Sequence, residues 1–121
     1  MSKSFNSLSK EIQIFCEKRS WEHSSPNSLI ASTLIELGEL AEHYQWQKEF
    51  KELSEEEKRE IGYEFVDVFF YLIRLANKSG IDIEKAFEEK MPKLEIKFPV
   101  GSDPKAQHDN YRKTGKNKLY E

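Results

Sequence analysis

The chain has 121 residues, 34% of them charged and 37% hydrophobic, with a formal net charge of −3. That size suits one domain with a modest core, and the composition is that of a soluble globular chain rather than a disordered or membrane one. The longest apolar run, VFFYLI at 68–73, is too short to cross a bilayer, and the acidic body excludes general nucleic-acid binding.

The N-terminal stretch MSKSFNSLSKEI lacks the apolar core of a secretory leader, so a cytoplasmic location is expected. Leu8, Ile12, Phe15 and Cys16 recur at helical spacing and predict a first helix over residues 7–22. Cys16 is the one cysteine; it excludes an intrachain disulfide and a cysteine zinc site and reads as a buried thiol. HSSPN at 23–27 breaks the pattern, and Pro26 suits a helix start, so a second helix is expected from about Asn27 to Gln47. Ser54 and Glu57 carry the capping-box spacing and open a third helix that runs to about Asn77 and stops at Gly80. Asp82 suits the cap of a fourth helix, which Pro92 is expected to shorten or kink. Four helices, short links and no strand-like alternation predict an all-α fold of four-helix-bundle type. Residues 1–100 form the expected domain. Residues 101–121, with five basic against three acidic residues, read as a basic tail, flexible or packed over the site or a neighbouring subunit.

Inside the second helix, IELGELAE places Glu36 and Glu39 three residues apart in an otherwise apolar stretch. A lone pair of this kind is ordinarily solvated surface. The third helix repeats it: YEFVDVFFYL sets Glu64 and Asp67 three apart among phenylalanines and valines. Trp46 falls nearly in phase with the first pair and Tyr71 with the second. If the two helices face each other, four carboxylates converge, which requires a cation; oxygen ligands alone point to magnesium or manganese. A carboxylate-bridged di-iron site is excluded by spacing, because His43 follows Glu39 by four residues rather than three and has no counterpart at 67–71. Glu55, Glu56 and Glu57 sit where a helix dipole favours them and read as structural. The third helix is apolar on nearly every side, so Phe65, Phe69, Phe70 and Ile73 are expected to bury surface against a second subunit.

The segments FCEKRSWE, ELGELAEHYQW and EFVDVFFYLIRLA, followed by KM and KFPV, resemble the MazG-like nucleoside triphosphate pyrophosphohydrolases, in particular the small single-domain branch that includes dCTP pyrophosphatases. The resemblance covers roughly residues 10–100. It implies an all-α enzyme, a homodimer or a homotetramer built as a dimer of dimers, that cleaves a (deoxy)nucleoside triphosphate between the α- and β-phosphates to the monophosphate and pyrophosphate. Glu36, Glu39, Glu64 and Asp67 fall on the magnesium positions of that family, and Trp21, Trp46 and Tyr71 on positions lining the base and sugar pocket. Glu39, with Glu36 beside it, is the candidate catalytic group that orients or deprotonates water. Lys90 and Lys97 are candidate phosphate contacts, and His23 a candidate for a base edge or a phosphate. Three departures from dCTP-preferring members fall around the pocket: a loop between Trp21 and Leu29 one residue shorter, Ile12 in place of a histidine, and Leu94 in place of an asparagine. They leave the reaction type intact and the base preference open. Two other readings are a relative acting on another nucleotide, such as phosphoribosyl-ATP, and a helical metal-binding protein without catalysis.

Overall fold

The structure, a computed structural model, describes residues 2–101, 103 and 105, so most of the expected 101–121 tail lies outside the described residues. Four helices and no strand are present among the described residues: α1 (Phe5–Lys18), α2 (Pro26–Glu42), α3 (Glu55–Lys78) and α4 (Ile83–Lys97). The all-α expectation holds. The chain falls into two compact units, Met1–Asp82 and Ile83–Glu121.

In the first unit α1 and α2 both pack on α3. Each helix opens on a serine whose hydroxyl accepts from the backbone N–H three residues on: Ser4 from Ser7, Ser25 from Ser28, and Ser54 from Glu57. At Ser54 the Glu57 carboxylate accepts in return from the Ser54 N–H, which completes the capping box. Those bonds to Ser54, with Lys51 nearby, hold the Glu57 carboxyl below its ordinary value. An acid with a lowered folded pKa stabilises the fold above the ordinary carboxylate range, and that contribution is lost as pH falls through the lowered value. Pro26 occupies the first turn of α2, where its missing N–H costs nothing.

Cys16, Leu29, Leu40, Ile61 and Ile73 are the buried apolar residues. Aromatic edge-to-face pairs extend this core along α1 and α3, with ring centroids 5.3 Å apart for Phe5 and Phe69 and 5.8 Å for Phe15 and Phe70. Phe69 and Phe70 each meet α1 and stay half-buried, whereas Ile73 is buried within the chain, which corrects the subunit expectation for that residue. Phe65 stays 53% exposed, together with Val66 and Leu72 on α3 and Leu34, Ile35 and Leu37 on α2.

Helix ends differ from the sequence expectation for local reasons. α1 stops at Lys18 because Ser20 takes a left-handed conformation (φ 57°). The Trp21 N–H then bonds back to the Cys16 carbonyl and the Ser20 N–H to that of Glu17, a Schellman closure with serine in the position glycine favours. α3 closes by the same motif, Ile81 to Ala76 and Gly80 to Asn77, with Gly80 at φ 71°. α2 ends at Glu42 and gives way to turns over 43–46, short of the expected Gln47, and the Gln47 side-chain amide donates to the His43 carbonyl. In the second unit α4 runs through Pro92 to Lys97, so the proline does not end it.

The two Schellman positions should respond oppositely to substitution. No atom crowds a Cβ built at Gly80, so Gly80→Ala should cost about 1 kcal/mol through the dihedral alone, whereas Ser20→Gly should leave stability unchanged or raise it by up to about 1 kcal/mol. Urea midpoints of the two variants check this; equal and same-signed shifts would contradict it.

Candidate active site

On α2, Glu36 and Glu39 stand one turn apart; on α3, Glu64 and Asp67 do the same. Because α2 packs on α3, the two pairs meet. One carboxylate oxygen from each of Glu36, Glu64 and Asp67 lies within 4.8 Å of the others. Glu39 joins from the more exposed edge through a hydrogen bond to Glu36. Partial burial, that bond, and repulsion from Glu39, Asp67 and Glu64 push the Glu36 carboxyl above its ordinary value. Two acids can share a hydrogen bond only when one keeps its proton.

Glu64 is the most constrained member. Its Oε2 is buried with no hydrogen-bond partner among the described residues, while Oε1 lies 3.9 Å from His43 Nε2. An unpartnered carboxylate oxygen is costly to bury, and repulsion among three acids adds to the cost. A divalent cation removes both penalties. The donor set is all oxygen, which suits a hard ion that keeps part of its water shell, and so the residues fit the metal that the paired stripes imply.

Next to the carboxylates on α3 lies a cleft of about 400 Å³ lined by Ser20, Trp21, His23, Ser24, Tyr71 and Arg74. The Schellman closure of α1 projects Trp21, and Arg74 fixes the loop that follows. The Arg74 side chain is buried; its Nη2 donates to the Trp21 carbonyl and to Ser24 Oγ, each at 2.8 Å. Its guanidinium carbon lies 5.7, 5.8 and 5.9 Å from the ring centres of Tyr71, Phe70 and Trp21. Lys78 also donates to this loop, at the Glu22 carbonyl. Asp67, Tyr71 and Arg74 fall four and three residues apart on α3, on one face of the helix, so that face carries both the acidic cluster and the aromatic cleft.

The structure therefore gathers Trp21, His23 and Tyr71, as well as Glu36, Glu39, Glu64 and Asp67. His23 is largely exposed, 3.7 Å from a Glu22 carboxylate oxygen. Trp46 is not among the cleft residues: it stands 87% exposed in the turns after α2, because the helix that would have kept it in phase with Glu36 has already ended. Lys90 and Lys97 lie on α4, in the second unit. Sequence reasoning missed two residues. His43, set aside as a di-iron ligand, faces Glu64. Arg74 carried a readable signal, a lone cation interrupting VFFYLIRLA seven residues after Asp67.

The MazG-like family model matches residues 31–111, which include both carboxylate pairs. The dCTP pyrophosphatase 1 proteins of Rattus norvegicus and Homo sapiens are each 31% identical to the chain over 91 residues, covering 71% of this chain and 54% of theirs. The chain thus spans about half the length of these curated relatives. A solved pyrophosphatase from Archaeoglobus fulgidus superposes with a TM-score of 0.60 at 29% identity, covering 82% of this chain and 95% of that one.

The raised Glu36 carboxyl sets the sign of a pH effect. An acid with a folded pKa above its unfolded value destabilises the fold as pH rises from the ordinary range through the raised value. Metal-free wild type should therefore lose melting temperature relative to Glu36→Gln across that interval, and a divalent cation should raise the wild-type value more above the interval than below it. Parallel melting curves that keep a constant gap at all pH values, with and without cation, would rule out the cluster as described.

Proposed function

We infer the function from one premise: the chain belongs to the MazG-like family. It is a nucleoside triphosphate pyrophosphohydrolase. The observation that carries this reading is the buried, unpartnered Glu64 oxygen within a cluster of acids, on the same α3 face as an aromatic cleft. Water cleaves the α–β anhydride of a (deoxy)nucleoside triphosphate, and the monophosphate and pyrophosphate leave. Curated relatives named dCTP pyrophosphatase support dCTP as the substrate; the proposal extends to a modified deoxynucleotide and to a role in cleaning the nucleotide pool in the cytoplasm.

Glu36, Glu64 and Asp67, with Glu39 at the edge, would hold magnesium, or manganese in its place. An ion bound there would supply positive charge against the phosphates and the pyrophosphate leaving group. The residues of the chain do the rest. Glu39 is exposed at the edge of the set; it orients the attacking water and takes its proton, while Glu36 holds Glu39 in place through their hydrogen bond. Trp21 and Tyr71 offer ring faces to the base and sugar, a contact worth about 1–3 kcal/mol per stacked base. His23 lies at the cleft mouth for a base edge or a phosphate. Trp46, exposed beyond α2, contributes to the same nucleotide if its turn folds over it. Lys90 and Lys97 serve the phosphates as point charges. Residues 1–100 constitute the catalytic domain, and residues 101–121 act as an accessory tail.

The exposed apolar side chains on α2 and α3, from Leu34, Ile35 and Leu37 to Phe65 and Val66, support a homodimer or a dimer of dimers. Light scattering at micromolar concentration should give a mass of at least two chains. A monomer at that concentration would refute the assembly.

The reaction is tested by products. Each common NTP and dNTP incubated with protein and magnesium should yield monophosphate and pyrophosphate, and Glu39→Gln should slow turnover by about 100-fold or more. Diphosphate with free phosphate would place the scission elsewhere, and absence of turnover with cation still bound would favour a non-catalytic metal-binding protein.

A further inference from the structure

We propose that Arg74 reads the nucleobase, admitting bases that carry a keto oxygen and rejecting adenine; this rests on the nucleotide-hydrolase reading above. Arg74 is 8% exposed, yet the ion pairs found among the described residues do not include it. A carbonyl, a hydroxyl and three ring faces hold its charge instead. The two Nη2 hydrogens are taken by Trp21 and Ser24, which pins the guanidinium. The Nε and Nη1 hydrogens have no acceptor among the described residues, and Arg74 lines the cleft. A guanidinium donates and never accepts. These donors face the cleft, so a ligand seated there is favoured when it presents an acceptor to them.

Position decides which part of the ligand that is. Arg74 lies seven residues beyond Asp67 on one helix face, about 10 Å along the axis at 1.5 Å per residue. Tyr71 stands between them. The phosphates belong with the carboxylates and their cation, the ring faces of Trp21 and Tyr71 hold a planar group, and Arg74 therefore meets the outer edge of the base. Cytosine, thymine, uracil and guanine each offer a keto oxygen to such a donor. Adenine offers only ring nitrogens, and on its Watson–Crick and major-groove edges the N6 amino hydrogens point at the guanidinium hydrogens. Selection then comes from attraction to one class and repulsion of the other.

The test is calorimetric titration of full-length protein with magnesium and the α,β-imido analogues of dATP, dCTP, dGTP and dTTP, which bind without hydrolysis. Wild type should bind the dATP analogue about tenfold or more weakly than the weakest of the other three. Glutamine carries a donor and an acceptor and matches adenine, so Arg74→Gln should bring that ratio to about one or invert it. A ratio taken within one sample does not depend on the fraction folded, and the wild-type measurement stands without the variant should Arg74→Gln fail to fold. Equal wild-type affinity for dATP, or an unchanged ratio in Arg74→Gln with all four affinities lowered together as a phosphate contact would do, overturns the proposal. A wild type that binds none of the four defeats the nucleotide reading itself, and the base-reading role with it.

Discussion

The packing of α2 on α3 holds together groups that would otherwise separate. Leu40 follows Glu39 directly, and Ile61 precedes Glu64 by less than one turn, so burying these apolar side chains sets the acids against each other. Each buried aliphatic side chain contributes roughly 1.5–3 kcal/mol. Two like charges at about 5 Å repel by on the order of 3 kcal/mol at an effective dielectric of about 20, and less where solvent reaches them. The terms are comparable, so the interface can carry the acids but not without response. The response is visible in Glu36, which is pushed toward its protonated form, and in Glu64, which keeps an oxygen with no partner. A cation relieves both at once, and the site is therefore built for a ligand rather than for rest.

α3 gives this arrangement a direction. Its acidic end holds Glu64 and Asp67; two turns on, the same face presents Tyr71 and then Arg74. Negative and positive groups thus stand at opposite ends of one rigid element, with an aromatic ring between them. A nucleotide has the complementary order: phosphates that need a cation and acids, a sugar and base that need a ring face, and a base edge that needs donors or acceptors. Because one helix supplies one member of each station, the spacing between them is fixed by helical geometry and not by loop conformation.

What could be read from the sequence follows from the range of each interaction. The Ser54–Glu57 capping box, the Gly80 stop and the two carboxylate pairs are set by residues within four positions of one another, and all were legible. The contacts of Phe69 and Phe70 within the chain were not legible, because their partners, Phe5 and Phe15, lie more than fifty residues away and no local pattern announces them. Trp46 leaves the phase of Glu36 for a nearer reason: in-phase spacing counts only while the helix lasts, and α2 ends four residues earlier. Arg74 shows the intermediate case. Its oddness within an apolar run was visible, but its acceptors, Trp21 and Ser24, sit 53 and 50 residues away and only the fold identifies them. The assignment of Lys90 and Lys97 rests on their charge and their spacing of seven along the fourth helix, and both belong to the second unit.

The loop that carries Trp21 shows how such long-range dependence serves a site. Ser20 occupies a backbone conformation that costs a serine about 1 kcal/mol or more, and strain of this kind persists only where surrounding structure fixes it. Here Arg74 and Lys78 fix it from α3 by bonding to the Trp21 and Glu22 carbonyls. The cleft wall contributed by α1 is consequently tied to the helix that carries the acids, and the two cannot drift independently. In the proposed reaction that coupling means the base is positioned by the same element that positions the phosphates. A nucleotide seated on Trp21 and Tyr71 arrives with its α–β anhydride already placed relative to Glu64 and Asp67, so less orientational entropy remains to be lost at the chemical step.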